Sequence, residues 1–280
     1  MTAAQAMSDA RLPLAFDDPR DQGDVVLFVH GFSHNRVVWD GVIEALDSGF
    51  RPIAVDLRGH GESEWSTEGA YGLDDYAGDL VGFLSHTEGP IHVVGHSLGG
   101  NAATLFAAAH AEQIRSLTLV DTGPALRLEA AMHIVGEVDS GFRALDSVAE
   151  YRRQLTMLHP LGAPELLDQL AVRSLVERLD GRFELALDPG VSSGDVSNFD
   201  FEADEQRLWA ALEKVDAPVF VARGAMSSLL TEAVAQRVVD GGVTGSQLEV
   251  FPRAGHAVMI DAAEDLGRSL NQFLNACANA

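Results

Sequence analysis

Residues 91–101 read IHVVGHSLGGN and place a serine in the pattern G-x-S-x-G. The β-branched run Ile91–Val94 directly before the pattern predicts a buried strand, and the small residues from Asn101 onward predict a helix. A serine at a sharp strand-to-helix turn has a strained backbone and an outward-pointing hydroxyl, and glycines on both sides avoid collisions with the strand and the helix. The helix N-terminus also stabilises developing negative charge. The pattern therefore predicts that Ser97 is a nucleophile.

Short apolar runs alternate with segments of helical periodicity on both sides of this turn. The runs that predict strands are Val25–Val29, Pro52–Val55, Ile91–Val94, Ser116–Val120, Pro218–Ala222 and Gln247–Phe251. The segments that predict helices include residues 73–84, 101–111 and 266–274. Such alternation is typical of an α/β fold with a mostly parallel, doubly wound sheet, which is the fold class that we expect.

Residues 123–206 interrupt the alternation and predict a helical cap over one edge of the sheet. The helices predicted in this segment are Leu128–Val138, Ser147–Leu158, Pro164–Leu179 and Glu205–Val215. A loop rich in Gly, Ser and Asp, residues 188–200, precedes the last of them. Residues 1–122 and 207–280 then form the core of the protein. The alternative is that the inserted helices form a separate small domain that packs elsewhere.

The composition limits the classes of function. The 280 residues are 46% apolar and carry a formal net charge of −23, which disfavours binding to nucleic acid or to anionic membrane surfaces. The single cysteine, Cys277, excludes an internal disulfide and a cysteine-based metal site. Residues 1–22 lack the apolar core of a signal peptide, and the longest apolar runs of about five residues are too short for a membrane span. We expect a cytoplasmic protein that acts on a small molecule without a cofactor or metal ion.

A second motif, His30-Gly31-Phe32, follows the predicted strand Val25–Val29. An oxyanion hole takes one backbone N–H from the residue after the nucleophile, here Leu98, and another from the loop after this earlier strand. Phe32 is the candidate for the second donor, because Gly31 allows the backbone to turn toward the site. His30 is a weaker candidate for the general base, since a histidine before glycine at a strand end more often hydrogen-bonds loop backbone.

The general base of a serine nucleophile is most often a histidine, and the chain has ten histidines. His256 follows Gly255 and the predicted strand Gln247–Phe251, so it lies at the carboxyl end of a strand, as Ser97 does. We therefore expect His256 to be the general base. The histidines of neighbouring loops, which we expect to serve structure or to line the pocket, are His30, His34, His60 and His96.

These motifs together resemble those of α/β-hydrolase-fold serine hydrolases. The stretches that carry the resemblance are Phe28–Phe32, Asp56–Ser63, Gly95–Gly99 and Ala254–His256. The resemblance extends over residues 11–276 and is weakest in the cap segment. It implies an α/β-hydrolase fold with a helical cap inserted after the sixth strand. It also implies that Asp56 and Arg58 make local hydrogen bonds in a structural loop and are not catalytic.

The carboxylate that orients the catalytic histidine departs from the usual pattern of this family. In most members it is an Asp in the loop after the strand that corresponds to Pro218–Ala222, where this chain has Ser228. Asp121 directly follows the predicted strand Ser116–Val120. This strand is expected beside Ile91–Val94, the strand before Ser97, so the Asp121 carboxylate can reach the imidazole of His256. This combination is similar to the members related to 2-(acetamidomethylene)succinate hydrolase. We expect Asp121 to be the acid; alternatively it only caps a turn, and the acid is Glu232, Asp200 or absent.

The sequence thus predicts a serine hydrolase that cleaves an ester, lactone or amide bond of a small organic substrate through an acyl-enzyme at Ser97. His256 acts as base and then as acid, Asp121 orients it, and the N–H groups of Phe32 and Leu98 bind the oxyanion. The alternatives are a carbon–carbon bond hydrolase, a cofactor-free perhydrolase, or a ligand-binding protein on a hydrolase scaffold. The cap arginines that could bind substrate carboxylates, or could simply face solvent, are Arg127, Arg143, Arg152, Arg153 and Arg173.

Overall fold

A central sheet organises the fold in the computed structural model, which describes residues 11–127, 129, 144–193 and 201–278. The strands are β1 (Phe16–Asp17), β2 (Asp24–Val29), β3 (Phe50–Val55), β4 (Ile91–His96), β5 (Ile114–Val120), β6 (Leu175–Glu177), β7 (Phe183–Leu185), β8 (Val219–Gly224) and β9 (Gln247–Phe251). The helices are α1 (Asp40–Glu44), α2 (Leu73–Leu80), α3 (Leu98–Ala109), α4 (Val148–Leu158), α5 (Pro164–Arg173), α6 (Pro189–Ser193), α7 (Phe201–Leu212), α8 (Glu232–Asp240), α9 (Val258–Asp261) and α10 (Ala263–Ala278). Short 3₁₀ helices span Arg36–Trp39, Val81–His86 and Ala111–Gln113.

Seven strands form the main sheet in the order β1-β3-β2-β4-β5-β8-β9. β1 pairs with β3 in the antiparallel sense, and the other neighbours are parallel. The fold class predicted from the sequence, a mostly parallel doubly wound sheet, is confirmed. Because these strands are parallel, the loops that follow β2, β4, β5, β8 and β9 meet at the carboxyl edge of the sheet. These are the loops that carry the expected site residues.

Two apolar layers cover the two faces of the sheet. In β2, Val26 and Phe28 pack into one layer, whereas Leu27 and Val29 pack into the other, as the two-residue period of a strand requires. Helix α10 contributes to the first layer, and helices α2 and α3 contribute to the second. Burial on both faces explains why the central strands are continuous apolar runs in the sequence.

The cap segment contains a hairpin where the sequence predicts a helix. The predicted helix Pro164–Leu179 ends at Arg173, and Leu175–Glu177 pairs as β6 with β7 in the antiparallel sense. The connecting turn contains Asp180 and Gly181, and Gly181 has a φ of 78°. An Asp-Gly pair between two short runs favours a hairpin turn, because glycine adopts positive φ without strain. This local preference overrides the helical periodicity.

The other cap predictions have mixed outcomes. The predicted helix Ser147–Leu158 is present as α4, and the Ser147 hydroxyl caps it by accepting a hydrogen bond from the N–H of Glu150. Except for residue 129, the predicted helix Leu128–Val138 lies outside the described residues, and so do residues 194–200 of the predicted loop. Residues Pro189–Ser193 of that predicted loop form the short helix α6 instead. The cap segment, which begins at residue 123, was expected after the sixth strand. It follows β5, which is the fifth strand among the described residues.

Helix α7 crosses the expected boundary between cap and core. It spans Phe201–Leu212, earlier than the predicted Glu205–Val215, and so runs through the junction at residues 206 and 207. Trp209 and Leu212, in its second half, pack into the apolar layer that α3 also forms. Because one helix belongs to both the cap and the core, the boundary between residues 206 and 207 stays a proposal.

The described cap residues 144–193 contact loops at the carboxyl edge of the sheet. The Asn35 amide, in the loop after β2, donates to the Ser174 hydroxyl at 2.9 Å. Arg173 forms an ion pair of 3.4 Å with Glu62, in the loop after β3. We propose on this basis that residues 123–206 form a cap over this edge. None of the described helices has both the length and the apolar character that a membrane span needs.

Candidate active site

The backbone of Ser97 forms a tight turn between β4 and α3. Its dihedral angles are φ 50° and ψ −121°, a region that residues other than glycine rarely occupy. A Cβ atom placed on Gly99 would lie 2.2 Å from the carbonyl oxygen of His30, and one on Gly95 would lie 2.6 Å from Cα of Gly100. Only glycine therefore allows α3 to approach the strands this closely, and Ser97 is left at the helix N-terminus.

The two expected oxyanion donors flank this turn. Leu98 is the first residue of α3, so its N–H has no acceptor within the helix. Gly31 packs against the turn, because a Cβ atom placed on it would lie 2.9 Å from Cβ of Ser97. Phe32 follows Gly31, and its N–H donates to no described backbone acceptor. Both N–H groups can therefore serve an oxyanion beside Ser97.

His256 and Asp121 form a hydrogen-bonded pair at the same edge of the sheet. Nδ1 of His256 lies 2.8 Å from Oδ2 of Asp121, so the Nδ1–H group donates to the carboxylate. Asp121 directly follows β5 with a φ of 47°, a left-handed conformation that Asp tolerates better than most residues. The Asp121 side chain is fully buried, and that of His256 is 20% exposed. This pairing leaves Nε2 of His256 able to accept a proton.

The buried carboxylate of Asp121 is fully supplied with hydrogen-bond donors. Oδ1 accepts from the N–H of Gly224 at 2.9 Å, and Oδ2 accepts from the Ser227 hydroxyl as well as from His256. A buried carboxylate without such donors would be strongly destabilising. The loop after β8 thus takes part in the site although it supplies no acid.

The contact from Ser227 was not expected from the sequence. The resemblance aligns Ser228 with the usual acid, but Ser228 is exposed and Ser227 turns inward, because its N–H bonds the carbonyl of Gly224 in a tight turn. Two adjacent serines gave no signal that could distinguish them. Of the alternative acids, Glu232 is exposed at the start of α8, and Asp200 lies outside the described residues.

No hydrogen bond joins the side chains of Ser97 and His256 in this structure. His96 connects the two residues: it directly precedes Ser97 in the chain, and its ring centroid lies 4.4 Å from that of His256. Catalytic hydrogen bonds of this kind are often long in free enzymes and tighten when substrate binds. The predicted site residues that meet at this edge of the sheet are Phe32, Ser97, Leu98, Asp121 and His256.

The sequence pattern of the family described as alpha/beta hydrolase fold matches residues 24–263 of the chain. The protein belongs to this family. The 2-(acetamidomethylene)succinate hydrolase of Mesorhizobium japonicum is 27% identical to this α/β-hydrolase over 264 residues, which are 92% of this chain and 90% of that protein. The 3-hydroxybutyrate-oligomer hydrolase of Cupriavidus necator is 28% identical over 250 residues, which are 86% and 85% of the two chains.

A crystal structure of E-2-(acetamidomethylene)succinate hydrolase resembles this α/β-hydrolase with a TM-score of 0.83 and 25% identity, and the match covers 94% of this chain and 96% of that one. The resemblance indicated by the motifs is therefore confirmed, both for the family and for these members. The names of the relatives describe several different hydrolytic reactions. They indicate that this α/β-hydrolase is a hydrolase.

Two further histidines of the α/β-hydrolase bind loop backbone. Nδ1–H of His30 donates to the carbonyl of Gly31 at 2.8 Å, and its Nε2 accepts from the N–H of Leu57 at 3.0 Å. Nδ1 of His60 lies 2.9 Å from the carbonyl oxygen of Arg58. Burial lowers the pKa of His30 to about 4 and the pKa of His60 to about 3. Because both nitrogens of His30 are occupied, the geometry favours His256 over His30 as the base.

We expect the free energy of unfolding to decrease as the pH falls from 6.5 toward 4. The unfolded chain takes up protons at His30 and His60 near the ordinary pKa of 6.5, whereas the folded chain does so only near 4 and 3. At these two histidines the unfolded state then binds more protons, so each contributes a slope of up to about 1.4 kcal/mol per pH unit. Asp40, whose pKa burial raises to about 6, contributes with the opposite sign and offsets part of this slope. Urea denaturation across this pH range measures the slope. His60→Asn, which keeps a donor near the Nδ1 position, should reduce it; equal slopes in this variant and the unmodified protein would contradict the prediction.

The loop Asp56–Ser63 has the hydrogen bonds that the resemblance implies. The Asp56 carboxylate accepts from the N–H of Arg36 at 2.7 Å and from the N–H of Glu62 at 2.9 Å. Arg58 donates to both carboxylate oxygens of Asp79, each at 2.6 Å. Among the described residues, no group of three or more His, Cys, Asp or Glu side chains is arranged to hold a metal ion.

The cap arginines that are described pair with acids or face solvent. Arg152 pairs with Asp168, and Arg173 pairs with Glu62. The other candidates are exposed (Arg127 and Arg153) or lie outside the described residues (Arg143). We therefore assign no described cap arginine to the recognition of a substrate carboxylate.

Proposed function

We propose that this α/β-hydrolase is a serine hydrolase that cleaves an ester, lactone or amide bond of a small organic substrate through an acyl-enzyme at Ser97. The observation that carries the proposal is the 2.8 Å hydrogen bond between His256 and Asp121, at the edge where Ser97 forms a strained turn. A carboxylate-bound imidazole near a serine in such a turn can activate the hydroxyl for acyl transfer. Relatives named as a monoacylglycerol lipase and a methyl ester esterase support acyl substrates.

The proposed reaction has two acyl-transfer steps. Oγ of Ser97 attacks the substrate carbonyl while Nε2 of His256 takes the hydroxyl proton, and the N–H groups of Phe32 and Leu98 stabilise the oxyanion. His256 then gives the proton to the leaving group as the bond to the carbonyl carbon breaks. A water molecule then attacks the acyl carbon while Nε2 of His256 takes its proton. His256 returns this proton to Oγ of Ser97 as the bond between Oγ and the acyl carbon breaks, which releases the carboxylic acid and restores Ser97. The Asp121 carboxylate accepts the hydrogen bond from Nδ1–H of His256 and stabilises the imidazolium in both steps.

Partitioning of the acyl group between water and methanol tests this proposal. Two esters with the same acyl group but different leaving groups pass through the same acyl-enzyme, so the ratio of methyl ester to free acid should be equal for both. A ratio that changes with the leaving group would contradict a shared acyl-enzyme. Cleavage of a vinylogous diketone without any ester turnover would favour the carbon–carbon hydrolase. Binding without any turnover would favour the ligand-binding protein.

Asp121→Asn should lower kcat by about a hundredfold to ten-thousandfold and keep the fold. An amide at this position favours the wrong tautomer of His256, and it cannot stabilise the imidazolium by charge. Steady-state kinetics with a p-nitrophenyl ester measures the loss, and circular dichroism checks the fold. Turnover at the rate of the unmodified enzyme would show that Asp121 is only a turn residue.

A second substitution tests whether the lost carboxylate can be replaced from β8. Ser227→Asp, introduced into Asp121→Asn, should restore part of kcat because the Ser227 side chain already contacts this position. Ser228→Asp in the same background is the matched control, since Ser228 is exposed and its side chain should restore nothing. Equal recovery by both would mean that added negative charge alone is responsible.

A further inference from the structure

His96 lies between the turn of Ser97 and the loop that carries His256. It ends β4, directly before Ser97, and only 1% of its surface is exposed. Its Nε2 lies 3.0 Å from the carbonyl oxygen of His256. Because a carbonyl oxygen only accepts hydrogen bonds, the proton of the neutral His96 ring must lie on Nε2. The two imidazole rings are also in contact, with centroids 4.4 Å apart and planes inclined by 44°.

The opposite side of the His96 ring packs against the loop that holds the oxyanion donor. A Cβ atom placed on Gly31 would lie 2.5 Å from Nδ1 of His96 and 3.0 Å from its Cε1. This Nδ1 is buried and has no hydrogen-bond partner among the described residues. The ring therefore fills the space between the backbone of Gly31 and the ring of His256, and it is held in place by packing on one side and a hydrogen bond on the other.

The electrostatic surroundings keep His96 neutral during the proposed reaction. Burial, and then the proximity of His256 and His34, lower the pKa of His96 well below its ordinary value. A neutral ring adds no positive charge beside His256 when His256 takes the proton of Ser97. It also keeps the Nε2–H group that binds the carbonyl of His256.

The loop around His256 is held at a second backbone position. The N–H of Gly255 donates to Oδ2 of Asp261 at 2.9 Å. Three contacts therefore hold this loop. Asp261 binds the N–H of Gly255, His96 binds the carbonyl of His256, and Asp121 binds the imidazole of His256. Of these three contacts, only the one from His96 comes from the end of β4, directly before the turn of Ser97.

We propose that His96 is a positioning residue that fixes the backbone of His256, and thereby its imidazole, between Asp121 and Ser97. The inference rests on the proposed function, because it assigns His256 the role of base. The pattern G-x-S-x-G leaves this position open to any residue, so the assignment comes from the contacts of His96 and not from the motif. A displacement of about 1 Å in a catalytic group can cost about a hundredfold in rate.

Two substitutions of nearly equal shape test the hydrogen bond. His96→Gln places an amide N–H near the position of Nε2, whereas His96→Met has a similar length but no donor. We expect kcat for a p-nitrophenyl ester to fall about tenfold to a hundredfold in His96→Met with little change in KM, and to stay within about tenfold of the unmodified enzyme in His96→Gln. Unchanged kcat in His96→Met, or equal losses in the two variants, would overturn the inference.

A spectroscopic readout adds a test that does not depend on activity, and its first part uses the unmodified protein and so does not depend on the folding of the variants. In the unmodified protein, ¹H–¹⁵N correlations of the imidazole nitrogens should show His96 as the neutral tautomer with the proton on Nε2, and the Nδ1–H tautomer would overturn the inference. The proton of His256 that Asp121 binds should give a downfield signal that weakens in His96→Met and persists in His96→Gln. If the unmodified protein hydrolyses no ester, the proposed function fails, while the tautomer of His96 still decides the present inference.

Discussion

Replacement of Ser97 by alanine is expected to lower kcat/KM for short p-nitrophenyl esters by at least about a thousandfold and to leave the protein folded. The hydroxyl is the attacking group in the proposed reaction, and no other described side chain can take its place at the helix N-terminus. The fold should persist because the substitution removes one oxygen atom from a partly exposed side chain. Initial rates and thermal unfolding of the same preparations measure both expectations.

Ser85→Ala is a suitable control for this experiment. Ser85 is exposed on a short 3₁₀ helix, where its hydroxyl donates to the carbonyl of Gly82. Its loss should leave the rate near that of the unmodified enzyme. Ester hydrolysis that survives in folded Ser97→Ala would show that the strained turn of β4 has no catalytic role.

Replacement of His256 by alanine is expected to reduce the rate about as much as the loss of Ser97. The double variant Ser97→Ala/His256→Ala should be scarcely slower than either single variant, because the two groups act as one proton-transfer unit. Comparison of the four kcat/KM values in a double-mutant cycle measures this non-additivity. Losses that multiply cleanly would place His256 outside the mechanism, whereas the control His86→Ala should change none of the values.

The sheet and the serine turn could be predicted because local sequence determines them. The run Ile91–Val94 is β-branched on both faces of a buried strand, and Gly99 is required wherever a helix approaches a neighbouring strand so closely. The predicted strands therefore differ from the observed ones by at most two residues at either end. The expected location of His256 followed in the same way from its place after β9.

The surroundings of Asp121, the proposed acid, were harder to predict because they depend on contacts between distant residues. Asp121 could be proposed because β5 was expected beside β4, and adjacent parallel strands bring their ends together. The sequence could not show that Ser227 instead of Ser228 turns toward Asp121, since that depends on a single turn after β8. The contact of His96 with the carbonyl of His256 joins residues 160 positions apart, and no local pattern encodes it.

The hairpin in the cap illustrates a competition between two local signals. Residues of the segment after Arg173 fit a helical period, but Gly181 allows a turn that pairs β6 with β7. Pairing of β6 with β7 also satisfies backbone N–H and C=O groups of both strands. The last turn of a helix would instead leave its C=O groups without partners in the helix. The Asp180–Gly181 pair is therefore the feature of the sequence that indicates the hairpin.

Labelling with a fluorophosphonate, followed by intact mass measurement and peptide mapping, tests the central claim most directly. Such a reagent phosphonylates a serine hydroxyl only when a neighbouring base activates it. We predict one adduct per chain, on the peptide that contains Ser97, absent in Ser97→Ala and formed much more slowly in His256→Ala. An adduct on another residue while Ser97 stays unmodified, or no adduct on the folded unmodified protein, would contradict the account.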